Sequence, residues 1–536
     1  MHLKVLYLLP YLVVFSSAIT WGTKRKIYAP FVDEETGECQ ITACDALGRS
    51  RDELFTAIMQ KSGNETQTKN QVQGFLRTMK GDIQKLQMGF ELLERRLLGI
   101  EQPVWELRSD ELRWSRCAEG PCSCYSETWS VSCWRQDLTS VPGRQNIPSD
   151  TRSIDLGMNK LMALNRDTFK KMVSLKDLDL FDNQLTFLPD GIFFDLENIA
   201  HIKLHKNRLE YLDSSIFEKN HNLETLDVSS NLLKSIDAKT LENLRELTFL
   251  HLSSNMITEL QPHMFRLLEK LEDIDISRNL LSKVLSGVFQ GLKSLKFLRL
   301  NNNVLEEIEL GGFANLRALE TLQLQNNKIG QLELGVFDDL ESLDHLVLTS
   351  NAIVELPPGL FQNLGNLREL HLGGNMIERL DAKTFFGLKK LEKLFLLSNN
   401  IEEIDEDGFV GLDSVVILIL SNNLLTSLSP DVFHAIPKLE KLQIDSNRFM
   451  FLHEGTLDLP NLQYVNLIKN PWHCDCSILY LTRWLADNQD KTSNYSPKCR
   501  GPGELGGRAV HDMNFNEVCD GQWASMMSIR SRVRAG

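Results

Sequence analysis

Asparagine recurs every 24 residues through the centre of this 536-residue chain, at Asn159, Asn183, Asn207, Asn231, Asn255, Asn279, Asn303, Asn327, Asn351, Asn375, Asn399, Asn423 and Asn447, and Asn470 follows after 23. Before each stands L-x-x-L-x-L-x-x-N, as in Leu367-x-x-Leu370-x-Leu372-x-x-Asn375, with Ile, Val or Phe at some leucine places. Ten residues after most asparagines comes Phe (Phe169, Phe193, Phe217, Phe265, Phe289, Phe313, Phe337, Phe361, Phe385, Phe409 and Phe433), with Leu241 and Leu457 in the remaining places. Alternating leucines turn one face of a short strand inward, and each unit buries that face only by stacking on its neighbours. A buried Asn satisfies backbone groups in the turn that leaves the strand, and Phe fills the bulkier convex side. The pattern predicts an α/β-type solenoid: a curved horseshoe with a parallel concave sheet and an irregular convex side. Fourteen strands at about 4.8 Å spacing give an arc of about 60 Å or more.

The flanks point to secretion. Met1-His2-Leu3-Lys4, an apolar run from Val5 to Phe15 and the small residues Ser16, Ser17 and Ala18 have the form of a secretory signal peptide, taken as residues 1–20. The run is shorter than the roughly 20 residues that span a bilayer. The basic tail, 520–536, carries Arg530, Arg532 and Arg534 and lacks the apolar end of a membrane or lipid anchor. The expectation is a secreted, extracellular chain with no integral membrane segment. Its ten cysteines fall as Cys39 and Cys44 in the segment 21–44; Cys117, Cys122, Cys124 and Cys133 in 117–150; and Cys474, Cys476, Cys499 and Cys519 in 471–519. An even number at the borders of a secreted chain reads as structural disulfides, and the unequal spacings disfavour zinc. Cys39 and Cys44 close a small local loop or link subunits. Asn64-Glu65-Thr66 is a glycosylation sequon, and Asn494-Tyr495-Ser496 a weaker one because Pro497 follows.

The repeat, residues 151–470, resembles the leucine-rich repeat of secreted and cell-surface proteins. Cys117-x4-Cys122-x-Cys124-x8-Cys133 with Leu138-Thr139-Ser140-Val141-Pro142 resembles the N-terminal cysteine cap of that family. Asn470-Pro471-Trp472-His473-Cys474-Asp475-Cys476, then Leu479-Tyr480-Leu481, Trp484-Leu485, Cys499 and Cys519, resembles its C-terminal cap. The resemblance implies a leucine-rich repeat solenoid with disulfide caps, and pairs Cys117 with Cys124, Cys122 with Cys133, Cys474 with Cys499 and Cys476 with Cys519. It also implies roles such as adhesion, matrix organisation or innate immune recognition.

Residues 45–115 do not share the 24-residue period and are rich in helix formers. Val72, Leu76, Met79, Ile83, Leu86, Phe90, Leu93 and Leu97 are spaced 4-3-4-3-4-3-4, a heptad seam. Gly74, Gly81 and Gly89 each weaken an isolated helix by about 1 kcal/mol relative to Ala. Such a stripe needs cover: self-association or a coiled-coil heteromer, a helical hairpin folded back on the solenoid, or else a loosely ordered stalk.

Residues between the inward leucines face the concave side. The early coils present Asp155, Asp177, Asp179, Phe181, His201, Lys203, His205 and Asp227, with Asp273 and Asp275 beyond; the middle ones present Phe297, Arg299, Asn301, Thr321, Gln323 and Gln325. Late coils present Phe395, Leu397, Ile417 and Ile419, an apolar patch suited to a partner contact, then Lys441, Gln443 and Asp445. The ligand-contact candidates are Asp177, Asp179, Phe181, His201, Lys203, His205, Asp227, Arg299 and the late apolar four. His201 and His205 lie about 13 Å apart along an extended strand, too far to share a metal. The run Glu402, Glu403, Asp405, Glu406 and Asp407 reads as a solvated edge.

No G-x-S-x-G, H-E-x-x-H or P-loop motif is present, and a non-enzyme without cofactor or metal is expected. With 58 basic and 72 acidic residues the net charge is −14, which argues against a nucleic-acid binder. The reading is a secreted recognition protein for an extracellular protein or glycan. Its alternative is a regulatory or carrier subunit of a secreted heteromeric complex, held through the helical stripe.

Overall fold

The computed structural model describes residues 97–492 and 496–519, with Gly89, Leu93 and Glu94 and two short strands, Phe31–Val32 and Cys39–Gln40. The chain divides into two compact units, Met1–Glu94 and Arg95–Gly536. In the first, Phe31–Val32 pairs antiparallel with Cys39–Gln40. The signal-peptide residues, Cys44, both sequon asparagines and the seam positions Val72, Leu76, Met79, Ile83, Leu86 and Phe90 lie outside the described residues. Leu93 is helical and 57% exposed.

The second unit is organised by a sixteen-stranded sheet. Each repeat contributes one three-residue strand, from Ser153–Asp155 to Tyr464–Asn466, and all of these run parallel. The register follows the sequence period: Leu226 lies between Ile202 and Leu250, each 24 residues away. The middle residue of every such strand is buried, and its neighbours face the concave side. At the N-terminal end Ser130–Ser132 pairs parallel with the first repeat strand, and Ser123–Tyr125 closes the sheet antiparallel to it.

The asparagines stitch one coil to the next. Asn303 donates from Nδ2 to the carbonyls of Leu300 in its own coil and Ile276 in the preceding one, both at 3.0 Å, while its Oδ1 accepts the N–H of Leu281. The same triad of contacts is made at Asn183, Asn207 and onward to Asn447. Asn159 splices the first coil to the cysteine module through the Cys133 carbonyl, and Asn470 accepts the N–H groups of Asn447 and Phe449. The residue before each asparagine is left-handed, as at Ser230 (φ 53°) and Asn302 (φ 56°). For residues other than Gly that conformation costs roughly 1–2 kcal/mol, which the buried side-chain bonds that follow offset.

The phenylalanines form a stacked spine. Ring centroids from Phe169 to Phe217 and from Phe265 to Phe433 are 5.8–6.4 Å apart. Strands in the sheet are only about 4.8 Å apart, so every coil is a wedge and the array bends toward its sheet. The spine is interrupted at Leu241, which ends the short helix Ala238–Leu241, and at Leu457. Leu457 is held instead by the terminal helix Leu479–Asp487: its carbonyl accepts the Trp484 indole N–H and its own N–H donates to the Tyr480 hydroxyl. Burial pushes the Tyr480 hydroxyl well above its ordinary range.

The disulfides are Cys117–Cys124, Cys122–Cys133, Cys474–Cys499 and Cys476–Cys519, the pairs implied by the family resemblance. Gln145, buried inside the first group, donates to the carbonyls of Cys117 and Cys122 and accepts the Cys122 N–H.

The helical reading of 45–115 fails at its C-terminal end. Glu106–Arg108 is a strand, paired parallel with Asn146–Pro148, and a short helix, Arg113–Cys117, runs into the first cysteine. Pro103 cannot continue a helix, and Trp105 buries its ring edge-on against Phe169, extending the spine by one aromatic. Arg113 clamps Asp150 through two nitrogens at 3.0 and 2.8 Å. Gly99, in the helical residues 97–100, abuts the Leu164 carbonyl and the Phe187 ring so closely that a Cβ would lie 3.1 and 3.3 Å from them. Leu97 and Ile100 of the same turn point outward, 53% and 72% exposed.

Candidate recognition surface

The in-register strands turn the concave face into columns of side chains, each residue flanked by its equivalents 24 positions away. In the early coils some of the carboxylates find partners across these columns. Lys203 bonds Asp179 at 3.1 Å, His205 Nδ1 lies 3.1 Å from the Asp227 carboxylate, and His201 is 3.9 Å from Asp177. Phe181 stacks on His205, with centroids 4.9 Å apart and planes 12° from parallel. Gly157 makes room for that ring: a Cβ there would come within 2.3 Å of it. Burial works against charge on Asp227, but His205 and the hydroxyl and N–H of Ser229 hold its carboxyl below the ordinary range. Asp155 lies deeper in the face than it is well bonded: burial pushes its carboxyl up despite the Gly157 N–H it accepts.

In the middle coils Arg299 pairs with the buried Asp273 and lies over the Phe297 ring. Amides follow at Asn301, Gln323 and Gln325, half-buried.

The late apolar patch is narrower than the sequence suggested. Leu397 is 38% exposed and leans over Gly373, and Phe395 and Ile417 are half-buried, but Ile419 is only 7% exposed. Ile419 sits in register between Phe395 and Gln443, which flank it on both sides. Three of the four candidates are therefore accessible to a partner.

Several face residues escaped the sequence reading. His371 stacks on Phe395 at 4.3 Å and lies 3.3 Å from Glu369, which also takes Lys393 at 2.6 Å. The Lys393 ammonium, opposed by partial burial, holds the Glu369 carboxyl below its ordinary range, with His371 adding to it. His345 lies 3.1 Å from Asp344, and His251 is 3.9 Å from Asp273. The signal for the strand residues was present: Glu369, His371, Lys393, His345 and His251 occupy the same two strand positions as Asp177 and Asp179. Among the described residues no group of three or more His, Cys, Asp or Glu is arranged to hold a metal ion, and no helix is long and apolar enough to cross a membrane.

Leucine rich repeat family signatures match six overlapping stretches, 149–209, 197–257, 245–305, 298–353, 343–401 and 389–449, together more than half of the chain. The chain belongs to the leucine rich repeat family. It is 37% identical over 75 residues to the platelet glycoprotein Ib beta chain of Mus musculus, covering 14% of this chain and 36% of that one. It is 38% identical over 58 residues to carboxypeptidase N subunit 2 of Homo sapiens, covering 11% of each. The alignments thus span between 11% and 36% of those relatives' lengths. Among solved structures, the TLR13–ssRNA13 complex matches with a TM-score of 0.54 at 26% identity, over 66% of this chain and 56% of that one.

Proposed function

We propose that this leucine-rich repeat chain is a secreted, non-catalytic recognition protein that binds an extracellular protein through its concave face. The observation that carries the reading is the zoning of that face. Carboxylates from Asp155 to Asp275 dominate its first coils, amides its middle, and Phe395, Leu397 and Ile417 its late coils. A rigid curved scaffold arranges many such weak contacts at once, so zones of different chemistry select a partner by pattern. An acidic end repels the phosphates of a nucleic acid and attracts basic protein surface. No Asn-x-Ser/Thr sequon falls within residues 151–470, so N-linked sugar does not grow from the array itself.

The face is tested by capturing ligands from an extracellular protein panel with the full chain. Asp177→Lys with Asp227→Lys forms one variant, and Leu397→Asp with Ile417→Asp another. The reading expects each pair to weaken capture at least tenfold while the circular dichroism spectrum stays unchanged; a partner indifferent to both pairs contradicts it.

A second reading, a regulatory or carrier subunit of a secreted complex, is favoured by the outward-facing Leu97 and Ile100 and by the likeness to carboxypeptidase N subunit 2. Light scattering coupled to size-exclusion chromatography on the secreted chain, with mass spectrometry of co-eluting species, separates the two. A free monomer or homo-oligomer supports autonomous recognition, and a stoichiometric complex with one other chain supports the subunit reading.

A further inference from the structure

Away from the concave face, where the last coils meet the terminal disulfide module, an open groove of about 800 Å³ is lined by Arg448, Met450, Phe451, Pro471, His473 and Arg500, among others. Its walls are tied together by the backbone: the His473 N–H donates to the Met450 carbonyl at 2.9 Å, the Arg500 N–H to the Trp472 carbonyl at 2.8 Å and the Cys474 N–H to the Gly501 carbonyl at 2.7 Å. The Cys474–Cys499 disulfide fixes the same loop. The backbone of the groove is therefore fixed before a ligand arrives.

Two properties set its chemistry. Met450 is 54% exposed and, with Phe451 and Pro471, gives the groove an apolar floor. Arg448 and Arg500 both border it, yet neither forms an ion pair among the described residues, and no carboxylate lines the groove. Some cations of the solenoid take a carboxylate from a neighbouring coil, as Lys203 does with Asp179, Lys296 with Glu272, Arg379 with Glu403 and Lys393 with Glu369. In a chain with 72 acidic and 58 basic residues, two guanidiniums without an ion pair, beside an apolar floor and with no carboxylate in the lining, give this groove a positive rim.

We propose that this groove binds an acidic, apolar peptide segment of a protein partner, its carboxylates on Arg448 and Arg500 and an apolar side chain on Met450 and Phe451. Guanidinium groups bind carboxylates through paired N–H donors. The floor favours a peptide over a sulfated glycan, which would satisfy the arginines but leave the apolar surface uncovered. The chain's own segment 520–536 carries Arg530, Arg532 and Arg534, and its charge opposes occupation of a groove with this lining.

The test uses fluorescence anisotropy on the full-length secreted chain. The probe is a labelled octapeptide with four glutamates around two central phenylalanines; the controls are the same peptide with serines for the phenylalanines and a heparin hexasaccharide. Saturable binding of the first peptide is expected. It should weaken at least tenfold with Arg448→Glu plus Arg500→Glu, and at least threefold with Met450→Asp. Arg448→Glu alone, on the exposed side of its coil, provides a variant that leaves the disulfide loop untouched and should still weaken binding. No saturable binding, or equal binding of the serine peptide, overturns the proposal. So does heparin binding that exceeds peptide binding and is lost in the double variant, which would assign the groove to sulfated glycans. A rise of tenfold or more in peptide affinity on deletion of 520–536 would show the tail as occupant and overturn it as well.

Discussion

The interior of the array and its concave surface are made by the same coils, yet one repeats and the other does not. Inside, Asn303 and Phe313 make contacts that recur at nearly every neighbouring coil. On the surface, consecutive coils carry Asp179, Lys203 and Asp227 in one column, and further along the same column Gln323, His371 and Phe395. The fold is specified redundantly, so no single coil has to carry it; recognition is specified by the departures, so every exposed position is free to differ. Stability changes should therefore concentrate in the interior, and binding changes on the face.

The largest effect expected is at the spine. Phe313 is stacked between Phe289 and Phe337 with centroids 6.3 Å away on both sides. Phe313→Ala should cost about 3–5 kcal/mol of unfolding free energy in urea. A loss below 1 kcal/mol would mean that coils repack independently of the spine.

Next comes the asparagine ladder. Asn303→Ala strands the Leu281 N–H inside the coil and leaves the Ile276 and Leu300 carbonyls with only the bonds from Asn279 and Asn327, at about 1–3 kcal/mol for the buried donor left unbonded. Hydrogen exchange at the Leu281 amide should accelerate more than at amides four coils away.

A smaller effect, and one that depends on pH, is expected where the face reaches inward. The folded state holds the Asp227 carboxyl below its ordinary range, so the unfolded chain binds more protons in acid. The stabilisation from Asp227 is present above the ordinary carboxylate range and is lost as pH falls through the lowered value. Asp227→Asn should lower stability by about 1 kcal/mol at neutral pH and flatten the acid limb of a Tm-against-pH curve. A variant with an unchanged acid limb would show that His205 and Ser229 do not act on this carboxylate.

Smallest of all in stability should be Leu397→Ser, within about 0.5 kcal/mol of the parent in the same urea titration, as for a surface substitution. A loss near that of Phe313→Ala would erase the distinction between interior and face.

Much of this was legible in the sequence, because periodicity encodes it directly. The asparagine and phenylalanine places, the concave columns and the period in register all follow from counting. What escaped counting has physical causes. Glu106–Arg108 is three residues long and becomes a strand only because Asn146–Pro148 lies beside it, a contact between distant positions that no local propensity announces. Ile419 occupies a concave position like Ile417, but between Phe395 and Gln443 it is buried, whereas Ile417, between Lys393 and Lys441, is half-buried; which neighbour lies alongside is set by the register. The groove at Arg448 and Arg500 joins a repeat to the loop of a disulfide module, and the lack of a carboxylate beside two arginines is visible only once the chain is folded.

The most direct test of the central claim, that recognition belongs to the varied concave face, is a hydrogen-exchange footprint of the full chain with a captured partner. The account predicts protection at the strands Asp177–Asp179, Thr225–Asp227 and Lys393–Phe395, with the convex turns around Phe289 and Phe313 unchanged. Protection confined to residues 97–100 or to the convex turns, with the concave strands exchanging as in the free protein, would contradict it.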